Sequence, residues 1–313
     1  GLDKETPDLK FLKEQADQFG KVIAFWLMGR QAGRQKFLED ARKYGIMVHD
    51  SASRIAECLM AASRFRMDRL ERKSRAKVSD QKSVLKTQAP PLPPKEKTLD
   101  EFDSKEFLSG CQIPVVEERV VGNPDEAWKF AQKVGLPIVL KGLMPEQFHK
   151  TEHGLVHLGL TDRHSLESAF DLMNNKVAGK GRILIQKQVK LDYELIAGFL
   201  RDKEFGPCVM FGLGGIFSEL SPDVVFAMAP LDRHSAMKLM GKIRGEKLLR
   251  GFRGFSPLDD EAMADFLIRL GNVGISFPQI EQIDINPITV SEGVPLAVDA
   301  NIILNGRATS ASE

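Results

Sequence analysis

Two fold classes in succession are predicted by this sequence. They are a partial parallel α/β unit over residues 1–70 and a two-lobed α+β domain over 98–313, separated by a basic, proline-rich linker over 71–97. Three observations predict this. Strand and helix patterns alternate from residue 19 to residue 67, the order that gives parallel strands joined by helices. Eleven Lys or Arg against four Asp or Glu then fall between Arg64 and Lys97, a local net of +7 that leaves −6 for the rest of the chain. Beyond them, strand patterns come in adjacent pairs between helices, with a small lobe over about 112–188 and a large lobe over about 189–313.

In the first unit, Phe19 to Arg30 predicts a buried strand closed by a glycine turn, Gln35 to Tyr44 a helix stopped by Gly45, and Ile46 to His49 a second short strand. Ser51 or Ser53 is placed to cap a helix running to about Met67. Two strands are too few for a closed sheet, so the unit reads as half of a domain. The linker holds Ala89-Pro-Pro-Leu-Pro-Pro94, an extended, semi-rigid spacer. Its charge reads as that of a solvated tether, because no aromatic residues are interleaved through its latter part.

In the second domain, Thr98 to Gly110 predicts a helix capped near Asp100 or Asp103, and Ile113 to Val121 a strand. Asn123-Pro-Asp-Glu126 starts a helix that stops at Gly135, with an N-cap, a proline at the first helical position and acids facing the positive end of the dipole. A strand ending on Lys141, a loop, a strand from Leu155 to Leu160 and a helix from Thr161 or Asp162 to Asn174 follow. Strands Arg182 to Val189 and Glu194 to Leu200 come next. In the large lobe a strand from Phe205 runs through three glycines into another strand, before helices Asp232 to Ile243 and Asp259 to Val273. The last strands are Gln279 to Val290 and Leu296 to Leu304.

Of the 313 residues 42% are hydrophobic and 28% charged, the balance of a soluble globular protein, and the net charge of +1 points to no nucleic-acid partner. No apolar run reaches the roughly 18 residues of a membrane span and no secretory leader opens the chain, so a cytoplasmic location is expected. Cys58, Cys111 and Cys208 are odd in number, far apart and without CxxC spacing, which excludes a disulfide framework or zinc site and predicts buried free thiols. The start at Gly1 is read as a missing N-terminal part.

Three stretches carry chemistry. Around Lys141 an apolar run ends on a lysine, and the loop behind it brings His149, Lys150 and Gly154. Two ammonium groups and an imidazole beside a glycine suit phosphate oxygens; the alternative is a solvated loop between two strands. Gly212, Gly214 and Gly215 make a bend that lets a ligand approach the backbone, or else a hairpin with no ligand. Finally, if Val290 pairs with Pro295, counting back four positions sets Asn286 opposite Asp299, with Asp284 on the same face as Asn286. Three oxygen donors among Ile283, Ile285, Ile288 and Val298 suit Mg²⁺, whose shell is completed by water and phosphates; the alternative is a polar hairpin face.

Together these pieces resemble the ATP-grasp domain of the NDP-forming acyl-CoA synthetases, relatives of succinyl-CoA ligase. The resemblance runs from about Thr98 to Leu304. It is carried by Val-Leu-Lys141, Phe-His149-Lys150-Thr-Glu, the run Phe205 to Glu219, Met-Ala-Pro-Leu231, Lys247-Leu-Leu-Arg-Gly-Phe-Arg253-Gly254, and Asp284-Ile-Asn286-Pro with Val-Asp299-Ala. Residues 19–67 resemble the end of the flavodoxin-like domain that precedes the ATP-grasp part in single-chain members. The resemblance implies reversible conversion of acyl-CoA, NDP and phosphate into acid, CoA and NTP through an acyl phosphate and a phosphohistidine. It implies nucleotide binding by Lys141, Lys150, Gly154, Gln186, Glu194, Gly212, Gly214 and Gly215, and Mg²⁺ ligation by Asn286 and Asp299. Asp284 would orient the phosphohistidine, and His149 matches a second phosphohistidine of some members. ATP/ADP or GTP/GDP and Mg²⁺ are the implied cofactors. A CoA-bearing partner region or subunit, and an oligomer, are implied because the CoA-binding domain and mobile histidine loop are absent from these residues. Three departures bear on nucleotide choice and turnover: Gly154-Leu155 stands for a Gly-Gly pair, Lys187 for a glutamate and Ala227 for an arginine. A catalytically degenerate regulatory module, as in related protein lysine acetyltransferases, is the competing reading.

Overall fold

The computed structural model describes residues 7–27, 34–63, 89–93, 98–144, 154–190, 193–215, 223–251, 257–291 and 293–305. The chain divides into two compact units, residues 1–83 and 84–313.

In the first unit, helix α1 (Leu9–Gln18) starts on Asp8, whose carboxylate accepts from Phe11 N at 3.0 Å. Strand β1 (Ala24–Trp26) pairs parallel with β2 (Met47–His49), and α2 (Arg34–Lys43) connects them. Leu9, Phe37, Ala41 and Ile46 form the core, with Phe25 edge-on to Phe37 at 5.4 Å. Residues 52–63 are helical (α3), and Ser51 is the cap, its hydroxyl accepting from Arg54 N. The predicted parallel unit is present. The expected long buried strand over Phe19 to Arg30 is a three-residue strand beside exposed Phe19 and Val22, because a two-stranded sheet offers little to bury against. Helix α1 had no counterpart in the sequence reading.

The second unit holds two sheets. Strand β3 (Thr98–Leu99) is followed by α4 (Glu101–Gly110), β4 (Glu118–Val121), α5 (Pro124–Val134), β5 (Ile138–Leu143), β6 (Val156–Leu160), α6 (Arg163–Val177) and β7 (Arg182–Lys187). Strands β4-β7-β5-β6 form an antiparallel sheet, the small sheet. One of its faces, with Ile138, Leu140 and Ile185, is covered by Ala127 and Ala131 of α5 and Leu166 and Met173 of α6. Asn123 caps α5 and Gly135 ends it; Asp162 caps α6 in a reciprocal box with Ser165.

Strands β8 (Leu195–Asp202), β9 (Gly206–Leu213) and β10 (Val224–Met228) precede α7 (Arg233–Met240), α8 (Glu246–Leu249) and α9 (Asp260–Ser276), and β11 (Ile280–Ser291), β12 (Val294–Ala297) and β13 (Ala300–Leu304) close the chain. The large sheet runs β10-β9-β8-β11-β13-β3, with β12 on β11. Phe199, Val209, Phe211, Ile283 and Ile285 pack with Ala236 and Leu239 of α7 and Phe266 and Leu270 of α9. Period-2 alternation leaves the neighbouring positions on the helix-free face.

Several boundaries differ from the sequence reading. Thr98 and Leu99 are not helical, because they extend the edge of the large sheet beside Ile302 and Ile303. Ile113 to Val121 is a strand only from Glu118, Val115 making a lone parallel bridge to Ala297. Strand β5 continues past Lys141 to Leu143. The last predicted strand is two strands with a bend at residues 298–299. Of the three thiols Cys111 and Cys208 are buried as expected, whereas Cys58 on α3 is exposed.

Candidate functional site

The helix-free face of the large sheet carries one half of the site. Val290 is opposite Pro295, Ile288 opposite Ala297 and Ile285 opposite Ala300, a single register that places Asn286 beside Asp299. The Asn286 N–H donates to the Asp299 carbonyl at 3.2 Å. Asp284 and Asn286 stand two residues apart on one face while Ile283 and Ile285 between and beside them are buried in the core. Asp284 is opposite Gly198, where an added Cβ would come within 2.9 Å of the Ile283 carbonyl and 3.4 Å of the Met210 Cε. Burial, and then the negative charge of Asp299, hold the Asp284 carboxyl above its usual range. Two mutually repelling carboxylates and an amide oxygen are a hard donor set that fits Mg²⁺. Among the described residues no three His, Cys, Asp or Glu side chains converge.

The face of the small sheet opposite α5 and α6, which meets α4, carries the other half. Glu118 is opposite Gln186, and Lys141 projects from β5 two residues beyond Val139, which is itself opposite Gln186. These three side chains therefore share one face. The Lys141 ammonium, its side chain 9% exposed, lies 2.6 Å from Glu101 Oε1 on α4 and 3.5 Å from the carbonyl of Val298. Val298 is the residue before Asp299. Lys105, one turn along α4 from Glu101, donates to Glu101 Oε1 at 2.8 Å, Gln186 Oε1 at 3.1 Å and the Val298 carbonyl at 2.8 Å, and pairs with the Glu118 carboxylate. Burial alone would lower the Lys105 pKa; Glu101 and Glu118 outweigh it and hold the ammonium above the ordinary lysine value. Burial pushes the Glu118 carboxyl up to about 7 against the opposing charge of Lys105.

Sequence reasoning missed Glu101, Lys105 and Glu118. The signal was present in α4, whose buried stripe is Glu101, Ser104, Lys105 and Leu108, at i, i+3, i+4 and i+7. A core-facing stripe with three polar members out of four needs partners inside the protein.

The glycines are explained in part by neighbouring protein. An added Cβ at Gly212 would meet the Asp223 carbonyl at 2.4 Å, and one at Gly215, whose φ is +60°, would meet Glu194 Oε2 at 2.9 Å. Glu194 thus leans on the glycine bend, its carbonyl accepting from Gly214 N at 2.8 Å. Gly154 has φ +62°, and its carbonyl accepts from the Lys176 ammonium at 2.9 Å. His149 and Lys150 lie outside the described residues.

Residues 92–304 match the model of the ATP-grasp domain family. Over 212 residues the chain is 38% identical to the acetate–CoA ligase (ADP-forming) I subunit beta of Pyrococcus furiosus, a match spanning 66% of this chain and 91% of that subunit. It is 36% identical to the acetate–CoA ligase (ADP-forming) I of Archaeoglobus fulgidus over 63% of this chain but only 30% of that protein. Among solved structures it resembles the dinucleotide-forming acetyl-coenzyme A synthetase 1 of Ca. Korarchaeum cryptofilum in complex with coenzyme A and Mg-AMPPCP, with 38% identity, a TM-score of 0.61, and coverage of 67% of this chain and 94% of that one. In that structure a phosphohistidine segment points towards the nucleotide binding site. No helix among the described residues is long and apolar enough to cross a membrane.

Proposed function

We propose, from the premise that this chain belongs to the ATP-grasp family, that it is the nucleotide-handling part of an ADP-forming acid–thiol ligase that interconverts an acyl-CoA with the free acid. The observation that carries this reading is the meeting of these two faces. The Lys141 ammonium sits against the carbonyl of Val298, so the phosphate-binding charge adjoins the strand that presents Asp299.

In this reading Lys141 takes the nucleotide phosphates with the ammonium N–H groups not used by Glu101, while Gln186 faces the base and the Glu194-braced bend at Gly212, Gly214 and Gly215 borders the nucleotide. Asn286 and Asp299 hold Mg²⁺, which neutralises phosphate charge when bound. Asp284 is assigned to orient an incoming imidazole by accepting its N–H. His149 is assigned as a phosphoryl acceptor: its ring nitrogen attacks the γ-phosphorus, the bond to the bridging oxygen breaks and ADP leaves. The onward step to CoA is assigned to a partner region or subunit, as the identification of the Pyrococcus relative as a beta subunit supports.

A thermal-shift comparison of ATP, GTP and Mg²⁺ tests the reading. Stabilisation by Mg-ATP beyond that by either component is expected, and no shift with any nucleotide overturns it. Labelled ATP tests His149: an acid-labile, base-stable label at that residue is expected, and its absence at full Mg-ATP occupancy with the partner present removes the acceptor role. The departures at Leu155, Lys187 and Ala227 favour the regulatory alternative, which predicts nucleotide binding with no such label.

A further inference from the structure

We propose that Lys105 is a positioning residue of the nucleotide site, holding Gln186 and Val298 directly and Lys141 through Glu101, so that one buried ammonium sets the spacing of its base, phosphate and metal sides. The inference deepens the reading above and rests on it.

Lys105 has no exposed surface, so it cannot touch a ligand. Its ammonium offers three N–H donors, and four acceptors surround it on four separate segments. These are Glu101 on its own helix, Glu118 on β4, Gln186 on β7 and the Val298 carbonyl at the bend between β12 and β13. Two of these segments belong to the small sheet and one to the large. Glu101 Oε1 is shared between the Lys105 and Lys141 ammonium groups, at 2.8 and 2.6 Å, so moving the first lysine moves the acceptor of the second.

Holding four buried charges at a junction is a costly way to pack it. An apolar side chain continuing the stripe set by Leu108 would fill the same space without desolvating an ion. What apolar packing cannot supply is direction: each acceptor is fixed at hydrogen-bond distance from one point. A shift at that point is transmitted to Gln186, to the carbonyl preceding Asp299, and to Lys141. Ser104 on the same stripe adds a second tie to the large sheet, accepting from Ile302 N at 3.2 Å.

The test measures fold and affinity separately on the full chain. Removing the ammonium alone strands two buried carboxylates, so Lys105→Met is combined with Glu118→Gln, which removes one charge of each sign. A companion, Lys105→Gln with Glu118→Gln, keeps side-chain N–H donors in place. Dissociation constants for Mg-ATP and adenosine are taken by calorimetry well below each thermal midpoint. The expected result is a folded Met variant whose Mg-ATP affinity is roughly tenfold or more weaker, the loss expected for one charged hydrogen bond, with adenosine weakened too and part of both restored in the Gln variant. A folded Met variant with both constants within about twofold of wild type overturns the proposal while leaving the nucleotide site standing. Failure of both variants to show a cooperative thermal transition assigns Lys105 to the fold itself and overturns it as well. If the wild-type chain binds no Mg-ATP, both this inference and the function it rests on fall.

Discussion

Two faces of the second unit manage charge in opposite ways. Between α4 and the small sheet, two lysines and two glutamates are buried together, and both lysines reach Glu101, at 2.6 and 2.8 Å. On the large sheet, Asp284 and Asp299 are half-buried carboxylates of the same sign, and Asp284 is raised in pKa in part by its neighbour. The first set of charges is paired within the protein. The second sets two carboxylates of one sign near each other, and a cation would relieve the repulsion that raises Asp284.

The largest expected effect breaks the carboxylate face. Asn286→Ala with Asp299→Ala is expected to cost about a hundredfold in Mg-ATP affinity, on the order of 2.8 kcal/mol, with little change for ATP without metal. Calorimetric titrations with and without Mg²⁺ check this. Equal losses in the two titrations would show that the pair holds the sheet and not the ion.

A smaller effect is expected on the self-neutralised face. Lys141→Ala removes a charge that Glu101 already compensates, so the loss of ATP affinity should fall toward the lower end of the range of about 1.5 to 3 kcal/mol for charged hydrogen bonds. Adenosine affinity should not change. A matching loss for adenosine would make the lysine a packing residue and erase the proposed division of labour between the faces.

The same contrast explains what could be read from the sequence. The large-sheet register was legible because a hairpin register is arithmetic: one correct pair, Val290 with Pro295, fixes Asn286 against Asp299 and the side-chain period fixes Asp284. Caps such as Asn123-Pro124 and Asp162 were legible for a similarly local reason, since the group each satisfies lies within one turn. The buried network was not legible, because its members are far apart in the chain: Lys105 meets Gln186 across 81 positions and Val298 across 193. No local rule pairs them. Residues 98–99 were misread as helix for the same reason, since what makes them a strand is β13, some two hundred residues on.

The smallest expected effect sharpens the comparison through pH. Glu118 titrates at about 7 in the folded protein against an ordinary carboxyl value of 4.5, because burial disfavours its charged form more than Lys105 favours it. Between these values the folded state binds a proton that the unfolded state has released, so the slope of unfolding free energy with pH is negative. The stabilisation is fully present below pH 4.5 and is lost as pH rises through 7. Glu118→Gln, which holds the neutral form at every pH, is expected to flatten this decline and to gain stability relative to wild type as pH rises from 5 to 8. Urea unfolding at fixed ionic strength across that range measures it. Asp284 has the same sign of shift on the other face, but Mg²⁺ should abolish its part, since a bound cation favours the carboxylate. The Glu118 part, set by burial and by its pairing with Lys105, should persist at saturating Mg²⁺. If the variant and wild type run parallel from pH 5 to 8, Glu118 is ionised throughout, and the buried network carries two carboxylates against two ammonium groups at every pH in the range.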